Sequence, residues 1–374
     1  MLRRGALLLV MLAGWTGGPD AARAQHYYVY VAAESEDEVA LVRFDGTTAE
    51  VVKTIAVGTW PTEIEGPHGL AVDPSGDYWY LSIAHGLPFG KVVKYETGTD
   101  EKVGEVEVGL FPASMAVSPT TGLLYVVNFN LHGKMEPSSV SVVDPATMTE
   151  VARTTTGVMP HGSRLSPDGL KHYSVAMMSG VLYELDALTF EVTRELDMGT
   201  GKPVIEGMMM APADSAHAGM AMKHDAAQAP KPTWVDPHPT KPFVYVANNG
   251  SDEVVEVNLE QWAITRRFKT AGAPYNLEVS PDGRYLLASL KKGGATGVFD
   301  LERGEEVVRI TNSRKVTHGI AITPDNRYAF ISVEGIGGEP GSVDVIDIGT
   351  MERVATVDVG KQASGIAFWK IERP

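Results

Sequence analysis

"EGPHGLAVDPSG" (residues 65–76) is the first of several related segments along this chain. Its pattern is a His-Gly pair, a short apolar strand and a turn that contains proline. The pattern returns in "MPHGSRLSPDG" (159–169) and "VTHGIAITPDN" (316–326). Repeats of this kind indicate a repeat architecture, in which neighbouring units bury a shared core. They also place a histidine at the same position in each of these copies.

An alignment on the apolar residue before the turn extends the pattern to seven segments. They are "PHGLAV", "PASMAV", "PHGSRL", "PKPTWV", "PYNLEV", "THGIAI" and "ASGIAF". Their second residues are His68, Ala113, His161, Lys231, Tyr275, His318 and Ser364. The spacings are 45, 48, 70, 44, 43 and 46 residues, so one interval carries an insertion.

Each unit continues with further strands. A turn and a strand of β-branched and aromatic residues follow most of the segments, as in "YWYLSIA" (78–84) and "FVYVANN" (243–249). A loop, an alternating strand such as "EVVEVNL" (253–259) and a fourth strand complete the unit. Four short strands in a unit of roughly 45 residues are typical of a β-propeller blade.

The two ends of the chain complete one another. The last unit stops after its first strand, "GIAFWK" (365–370), whereas the N-terminal part supplies the other three, starting with "YYVYVAAE" (27–34). Pairing these strands closes a ring and removes an exposed sheet edge. The sequence therefore predicts one all-β domain over residues 25–374, a seven-bladed propeller of four-stranded blades with an insertion at about 201–232.

The repeat motifs also resemble a known family. "FVYVANNGSDEVVEVNL" (243–259) and "LLYVVNFN" (123–130) with "SSVSVVDP" (138–145) resemble the YVTN-type propeller repeats, which occur in quinoprotein-like and lactonase-like propellers. The resemblance covers residues 25–374 and implies the seven-bladed fold. It implies no single activity, because propellers carry many unrelated functions.

Residues 1–24 have the features of a Sec-type signal peptide. Arg3 and Arg4 precede the apolar run 6–13, and Ala22-Arg23-Ala24 forms a small-x-small cleavage pattern. The apolar run is too short to span a bilayer. We therefore expect a mature chain that begins at Gln25 and is periplasmic or secreted.

Composition limits the partners and cofactors. The formal charge of −15 becomes −17 without the leader, which argues against nucleic acid as a partner. No later stretch predicts a membrane-spanning helix. The chain contains no cysteine, so a disulfide, a thiolate ligand and a haem-attachment motif are all absent. Because no haem can be attached in this way, a redox reaction of this protein would take its electrons from an external redox partner.

Histidines concentrate on one face of the predicted propeller. The start of each first strand and the loop between strands two and three share one face, called the top face here. Met177 and Met178 lie in one such loop, whereas His26, His172 and His238 map to the bottom face. We predict a metal site on the top face with His68, His161 and His318 as ligands. His85 and His132 are the next candidates.

The insertion "GKPVIEGMMMAPADSAHAGMAMKHDAAQAPKP" (201–232) also emerges at the top face. It has no strand or helix periodicity, so we predict a loop. Thioether ligands favour copper, especially Cu(I), and imidazole also suits copper. Copper is therefore the predicted cofactor. The accessory candidates in the loop are His217, His224, Met208, Met209, Met210, Met220 and Met222.

Other polar residues map near this face. Glu65, Glu206 and Glu334 are candidates for orienting a histidine or for acid–base chemistry, or else are solvated surface carboxylates. Lys231 and Tyr275 share the register of His68, so they face an anionic ligand or fill the channel mouth. In placement, the histidines are similar to those of the propellers of nitrous oxide reductase and thiocyanate dehydrogenase. The copper electron-transfer domain of the former, which needs cysteine, is missing.

Three functions remain open at this point. The first is an exported propeller with a histidine-rimmed copper site and copper-dependent oxidoreductase activity. The second is a non-catalytic propeller that binds a small molecule or a protein, in which the histidines bond to the backbone of a neighbouring blade. The third is a lactonase-like hydrolase with a hard cation, which the absence of Asp, Glu and Asn from the aligned channel-mouth positions disfavours. The substrate and the oligomeric state do not follow from the sequence.

Overall fold

The computed structural model describes residues 25–60, 62–85, 89–204 and 229–373. The predicted signal peptide (1–24) and most of the insertion (205–228) lie outside the described residues. In the described ranges there is no helix with the length and hydrophobicity that crossing a bilayer requires.

The described strands form seven antiparallel sheets, which are the blades. The chain begins with β1 (His26–Ala33), β2 (Glu38–Phe44) and β3 (Ala49–Ala56). Blade 1 contains β4 (Pro67–Val72), β5 (Tyr78–Ile83), β6 (Lys91–Glu96) and β7 (Lys102–Glu107). Blade 2 contains β8 (Pro112–Val117), β9 (Leu124–Asn128), β10 (Pro137–Asp144) and β11 (Thr149–Val158).

Blade 3 contains β12 (Pro160–Leu165), β13 (Lys171–Ala176), β14 (Val181–Asp186), β15 (Val192–Asp197) and a short fifth strand, β16 (Lys202–Pro203). Blade 4 contains β17 (Pro232–Pro237), β18 (Phe243–Asn248), β19 (Glu253–Asn258) and β20 (Ala263–Lys269), with a 3₁₀ turn at Asn249–Ser251. Blade 5 contains β21 (Pro274–Val279), β22 (Tyr285–Leu290), β23 (Ala295–Asp300) and β24 (Glu305–Thr311).

Blade 6 contains β25 (Val316–Ile322), β26 (Tyr328–Glu334), β27 (Gly341–Asp347) and β28 (Glu352–Val359). Blade 7 joins the two ends of the chain in the order β29-β1-β2-β3, with β29 at Ala363–Glu372. In this sheet Val29 lies opposite Phe368 and Tyr30 lies opposite Ala367. The predicted seven-bladed ring and its closure are therefore confirmed.

The core lies between adjacent blades, where aromatic and β-branched side chains of neighbouring sheets meet. Between blades 7 and 1, Tyr30 stacks on Trp79 and Trp79 stacks on Tyr95, with ring centres 4.9 and 4.1 Å apart. Trp369 of β29 packs against Tyr30 at 5.6 Å. The closing strand thus contributes to the core as well as to the hydrogen bonding of its sheet.

The glycine of the His-Gly pair has a packing role. The innermost strands of neighbouring blades approach so closely that a Cβ atom at Gly69 would lie 2.0 Å from the Ala113 carbonyl oxygen. A Cβ atom at Gly365 would lie 2.1 Å from the His68 carbonyl oxygen. Only glycine allows neighbouring innermost strands to approach this closely at these two positions.

One position in the sequence alignment was wrong. β17 begins at Pro232, as β4 begins at Pro67, so Thr233 and not Lys231 is equivalent to His68. The segment "VDPHP" contains two candidate turns, and the turn forms at the second, where the His238 N–H donates to the Phe243 carbonyl. Asp236, which the alignment took for a turn residue, lies inside the innermost strand of blade 4.

Candidate functional site

Four side chains from different blades meet at the top of the channel. His68, His161, Tyr275 and His318 lie near the starts of β4, β12, β21 and β25. The ring centre of His161 lies 6.1 Å from that of His68 and 5.1 Å from that of Tyr275. The ring centre of His318 lies 4.9 Å from that of Tyr275 and 5.7 Å from that of His68, which closes the group. We call these four residues the histidine–tyrosine ring. Its three imidazoles are the predicted primary ligands.

Hydrogen bonds assign the protonation of His161. Its Nδ1 lies 3.1 Å from the Thr233 carbonyl oxygen, which can only accept, so Nδ1 carries the hydrogen. Nε2 then has the free lone pair and accepts a 2.8 Å hydrogen bond from the Tyr275 hydroxyl. Burial lowers the pKa of His161 to about 3, so this imidazole is neutral at physiological pH.

Glu34 connects two histidines at the edge of the ring. His68 donates from Nδ1 to one carboxylate oxygen at 2.9 Å, and His85 Nε2 lies 3.2 Å from the other. Although burial alone would raise it, the pKa of Glu34 lies well below its usual range because of the His68 and His85 contacts. The hydrogen bond with Glu34 raises the pKa of His85.

A second group of residues surrounds the first. At the top end of the second strand of each blade lie Glu34, Ala84, Phe129, Met177, Asn249, Lys291 and Glu334, of which Glu334 is the last residue of its strand and the others directly follow theirs. The Lys291 ammonium lies 3.1 Å from a Glu334 carboxylate oxygen and 4.1 Å from the centre of the Tyr275 ring. The same Glu334 oxygen is 3.7 Å from His318 Nε2. Burial, together with the Lys291 charge, lowers the pKa of His318 well below its ordinary value.

The sequence analysis missed Glu34 and Lys291. It aligned the first strands of the blades only. The same alignment on the ends of "YYVYVAAE" and "YAFISVE" places Glu34 and Glu334 in one register, and Lys291 follows "YLLASL" in that register. A second alignment was therefore the available signal.

The remaining top-face candidates lie farther out or elsewhere. His132 is exposed, with its ring centre 5.7 Å from that of His85 and 5.4 Å from that of Phe111. Glu65 accepts a hydrogen bond from the Thr59 N–H and has no contact with the histidine–tyrosine ring among the described residues. Lys231 precedes β17 and is likewise outside the ring. The insertion candidates lie outside the described residues: Glu206, Met208, Met209, Met210, His217, Met220, Met222 and His224.

The spacing of two imidazole pairs is close to what a single metal ion requires. Two imidazoles on one ion, with metal–nitrogen bonds of about 2.0 Å, place their ring centres roughly 5–6 Å apart. The His68–His161 and His68–His318 separations of 6.1 and 5.7 Å are close to this range. Within the described ranges, however, no group of three or more His, Asp or Glu side chains is already arranged to hold an ion. A metal would require imidazole rotation and release of His161 Nε2 by Tyr275.

Comparisons with known proteins support the fold. The chain is similar to the structure of Kuenenia stuttgartiensis hydrazine synthase, with a TM-score of 0.58, 20% identity, and coverage of 79% of this chain and 82% of that chain. It is also similar to a functionally unknown protein from Desulfotomaculum acetoxidans DSM 771, with a TM-score of 0.68, 14% identity, and coverage of 91% and 98%. No family model and no curated protein matches the chain. At these identities the likeness shows the propeller fold alone, and the YVTN-type resemblance stays a prediction.

Proposed function

We propose that the protein is an exported propeller that binds copper at the histidine–tyrosine ring and uses it in an oxidoreductase reaction. The hydrogen bonding of His68 and His161 is the observation that carries this proposal. In both imidazoles Nδ1 donates to a fixed acceptor, Glu34 or the Thr233 carbonyl, so Nε2 is left with the lone pair. Metal-ligating histidines commonly have such an acceptor on the other nitrogen, which fixes the tautomer and strengthens the ligand.

Burial and charge favour a bound cation in the same place. His161 and His318 stay neutral because burial lowers their pKa values, and neutral imidazole is the form that binds metal. Glu34 is held ionised beside His68 and His85, so the edge of the ring carries a negative charge. Lys291 is paired with Glu334 at 3.1 Å, so the charge of Glu34 remains available to a bound cation.

The choice of copper rests on ligand chemistry. The chain offers imidazoles and no thiolate, and the insertion adds five methionines and two histidines that lie outside the described residues. Imidazole suits several metals, whereas thioether selects copper. Copper would supply one-electron transfer, while His68, His161 and His318 would hold it and Tyr275 and Lys291 would face its ligands. Export rests on the leader pattern of residues 1–24.

The second candidate function is a propeller that binds a small polar molecule without metal. The Tyr275–His161 hydrogen bond favours it, because this contact already satisfies the lone pair that a metal would need. A ligand that accepts from Lys291 and His85 would then occupy the channel mouth. The two functions differ in whether copper is retained.

The test is copper binding by the purified mature protein, compared with variants. His161→Gln keeps a polar group for Thr233 and Tyr275 but removes the imidazole, and we expect it to bind Cu(II) at least tenfold more weakly. His26→Gln, on the bottom face, is the matched control. Equal affinity in all three proteins, or no binding in any, would favour the second function.

The insertion has its own test. Replacement of residues 205–228 by a short Gly/Ser linker should leave Cu(II) binding at the histidine–tyrosine ring intact and weaken Cu(I) binding, because the linker removes five methionine thioethers. Competition with a Cu(I) chelator measures the difference. An unchanged Cu(I) affinity would show that these methionines do not bind the metal.

A further inference from the structure

The lower part of the channel contains charged residues that the proposed copper site does not use. Three neighbouring blades carry Arg164, Asp236 and Glu278 at one register of their innermost strands, three residues beyond His161, Thr233 and Tyr275. The other four blades have alanine at this register: Ala71, Ala116, Ala321 and Ala367. Three residues of extended strand span about 10 Å. We call these residues the lower-channel charged cluster.

Each member of the cluster contacts the next blade. Arg164 Nε lies 3.4 Å from an Asp236 oxygen, and the guanidinium packs over the Trp234 ring at 4.9 Å. The other Asp236 oxygen accepts from the Val279 N–H at 2.8 Å. Glu278 accepts from the Ile322 N–H of β25 at 3.0 Å, and its charged neighbours are Arg164 and Asp236. The cluster thus has two carboxyl groups and one cation.

A narrow cavity extends from the histidine–tyrosine ring to Arg164, the member of the cluster that contacts Asp236. It has a volume of ≈ 40 Å³, room for about three water molecules. His68 and His318 line its upper part, and Trp234, Asn276 and Arg164 line it farther down. Three buried polar atoms on these residues have no hydrogen-bond partner among the described residues: His318 Nδ1, Asn276 Oδ1 and Trp234 Nε1. Buried polar atoms of this kind are normally satisfied by ordered water.

The protonation of the carboxyl groups follows from burial and from their pairing. Burial raises the pKa of Asp236 to about 6, although Arg164 acts in the opposite direction. Burial raises the pKa of Glu278 to about 8, with Arg164 opposing and Asp236 adding to the rise. Near neutral pH the pair therefore holds one proton, and Arg164 balances the one remaining negative charge.

We propose that Asp236 and Glu278 form an exchangeable proton site, connected by water in the channel to the histidine–tyrosine ring. Its coupling to metal rests on the proposed function. When a dication binds at the ring, the proton leaves the Glu278 carboxyl group, passes to channel water and reaches the solvent. The carboxylate left behind offsets part of the added positive charge. The site would thus exchange one proton with each change of charge at the ring.

The first experiment needs no metal. Infrared spectra of the mature protein should show the C=O stretch of a protonated carboxyl group at pH 7, which disappears as the pH rises through about 8. Glu278→Gln is close to isosteric and should remove this band. Glu260→Gln, in an exposed turn of blade 4, should leave it unchanged. Absence of the band from the wild type, or its persistence in Glu278→Gln, would overturn the proton site.

The second experiment tests the coupling. Cu(II) is added to weakly buffered protein at pH 7 and the released protons are counted with an indicator dye. The wild type and Glu260→Gln should release about one proton more per bound copper than Glu278→Gln does. Equal release would overturn the coupling. If no copper binds while the infrared band is present, the proposed copper function fails and the proton site stands.

Discussion

Burial and one carboxylate determine the protonation of single residues in and beside the histidine–tyrosine ring. His161 and His318 are kept neutral by their surroundings, whereas Glu34 stays ionised between His68 and His85. Neutral imidazoles beside a fixed negative charge are what a cation needs from its ligands. Tyr275 completes the ring by donating to His161, so any ligand of His161 Nε2 must displace the phenol.

Glu34→Gln tests the role of the carboxylate. The amide keeps the size of the side chain but loses the charge that orients His68 and His85, so copper affinity should fall by roughly 10–100-fold. The pKa of His85, which Glu34 raises, should fall in the same variant, as followed by NMR titration. Glu63→Gln, exposed on the top face, should change neither value. An unaltered affinity in Glu34→Gln would show that Glu34 does not support a metal ligand.

His172 is a buried histidine whose effect on the free energy of unfolding depends on pH. It is fully buried, its ring stacks on Tyr125 at 5.0 Å, and neither ring nitrogen has a hydrogen-bond partner among the described residues. Burial lowers its pKa to about 3, whereas an unfolded histidine titrates near 6.5. Between these values only the unfolded chain binds the proton, so the free energy of unfolding decreases as the pH falls below about 6.5.

His172→Phe keeps the aromatic stacking and removes the imidazole that binds a proton in the unfolded chain. Relative to the wild type, the variant should therefore gain about 2 kcal/mol more stability at pH 5 than at pH 8. Urea unfolding at the two pH values measures the difference. The same stability difference at both would show that His172 does not resist protonation in the folded state.

At the scale of elements, the innermost strands position every residue of the site. Their repeated turns and His-Gly pairs allowed the blades and the convergence of His68, His161 and His318 to be predicted. The register of blade 4 was wrong because "VDPHP" (235–239) offers two turns, and choosing the first hid Asp236. Glu34 and Lys291 were missed because they follow second strands. The spacing to the second strand distinguishes the two turns: five residues separate Ser280 from Tyr285 and His238 from Phe243, whereas Asp236 lies seven residues before Phe243. An alignment restricted to first strands does not use this spacing.

The closing strand offers a test at this scale. Deletion of residues 365–374 removes most of β29, exposes the edge of β1 and takes Trp369 from the core. We expect a large drop in melting temperature or loss of soluble protein. Deletion of residues 373–374, which lie beyond β29, should have little effect. A melting temperature equal to that of the wild type in the longer deletion would contradict the closure.

At the scale of the whole molecule, the ring of blades turns sequence-distant positions into one site. His68 and His318 are 250 residues apart in the chain, yet their ring centres are 5.7 Å apart in the fold. Similar solved structures share this architecture at low identity, so the fold alone does not select the chemistry. The side chains at the channel mouth do, and they are the basis for the proposed copper site.

The most direct measurement is pulsed EPR of the mature protein loaded with one equivalent of Cu(II). The remote nitrogen of each coordinated imidazole gives a characteristic modulation, so the number of histidine ligands can be counted. We predict three imidazoles in the wild type and one fewer in each of His68→Ala, His161→Ala and His318→Ala. A nitrogen count unaffected by all three substitutions would place the copper elsewhere and contradict the site at the histidine–tyrosine ring.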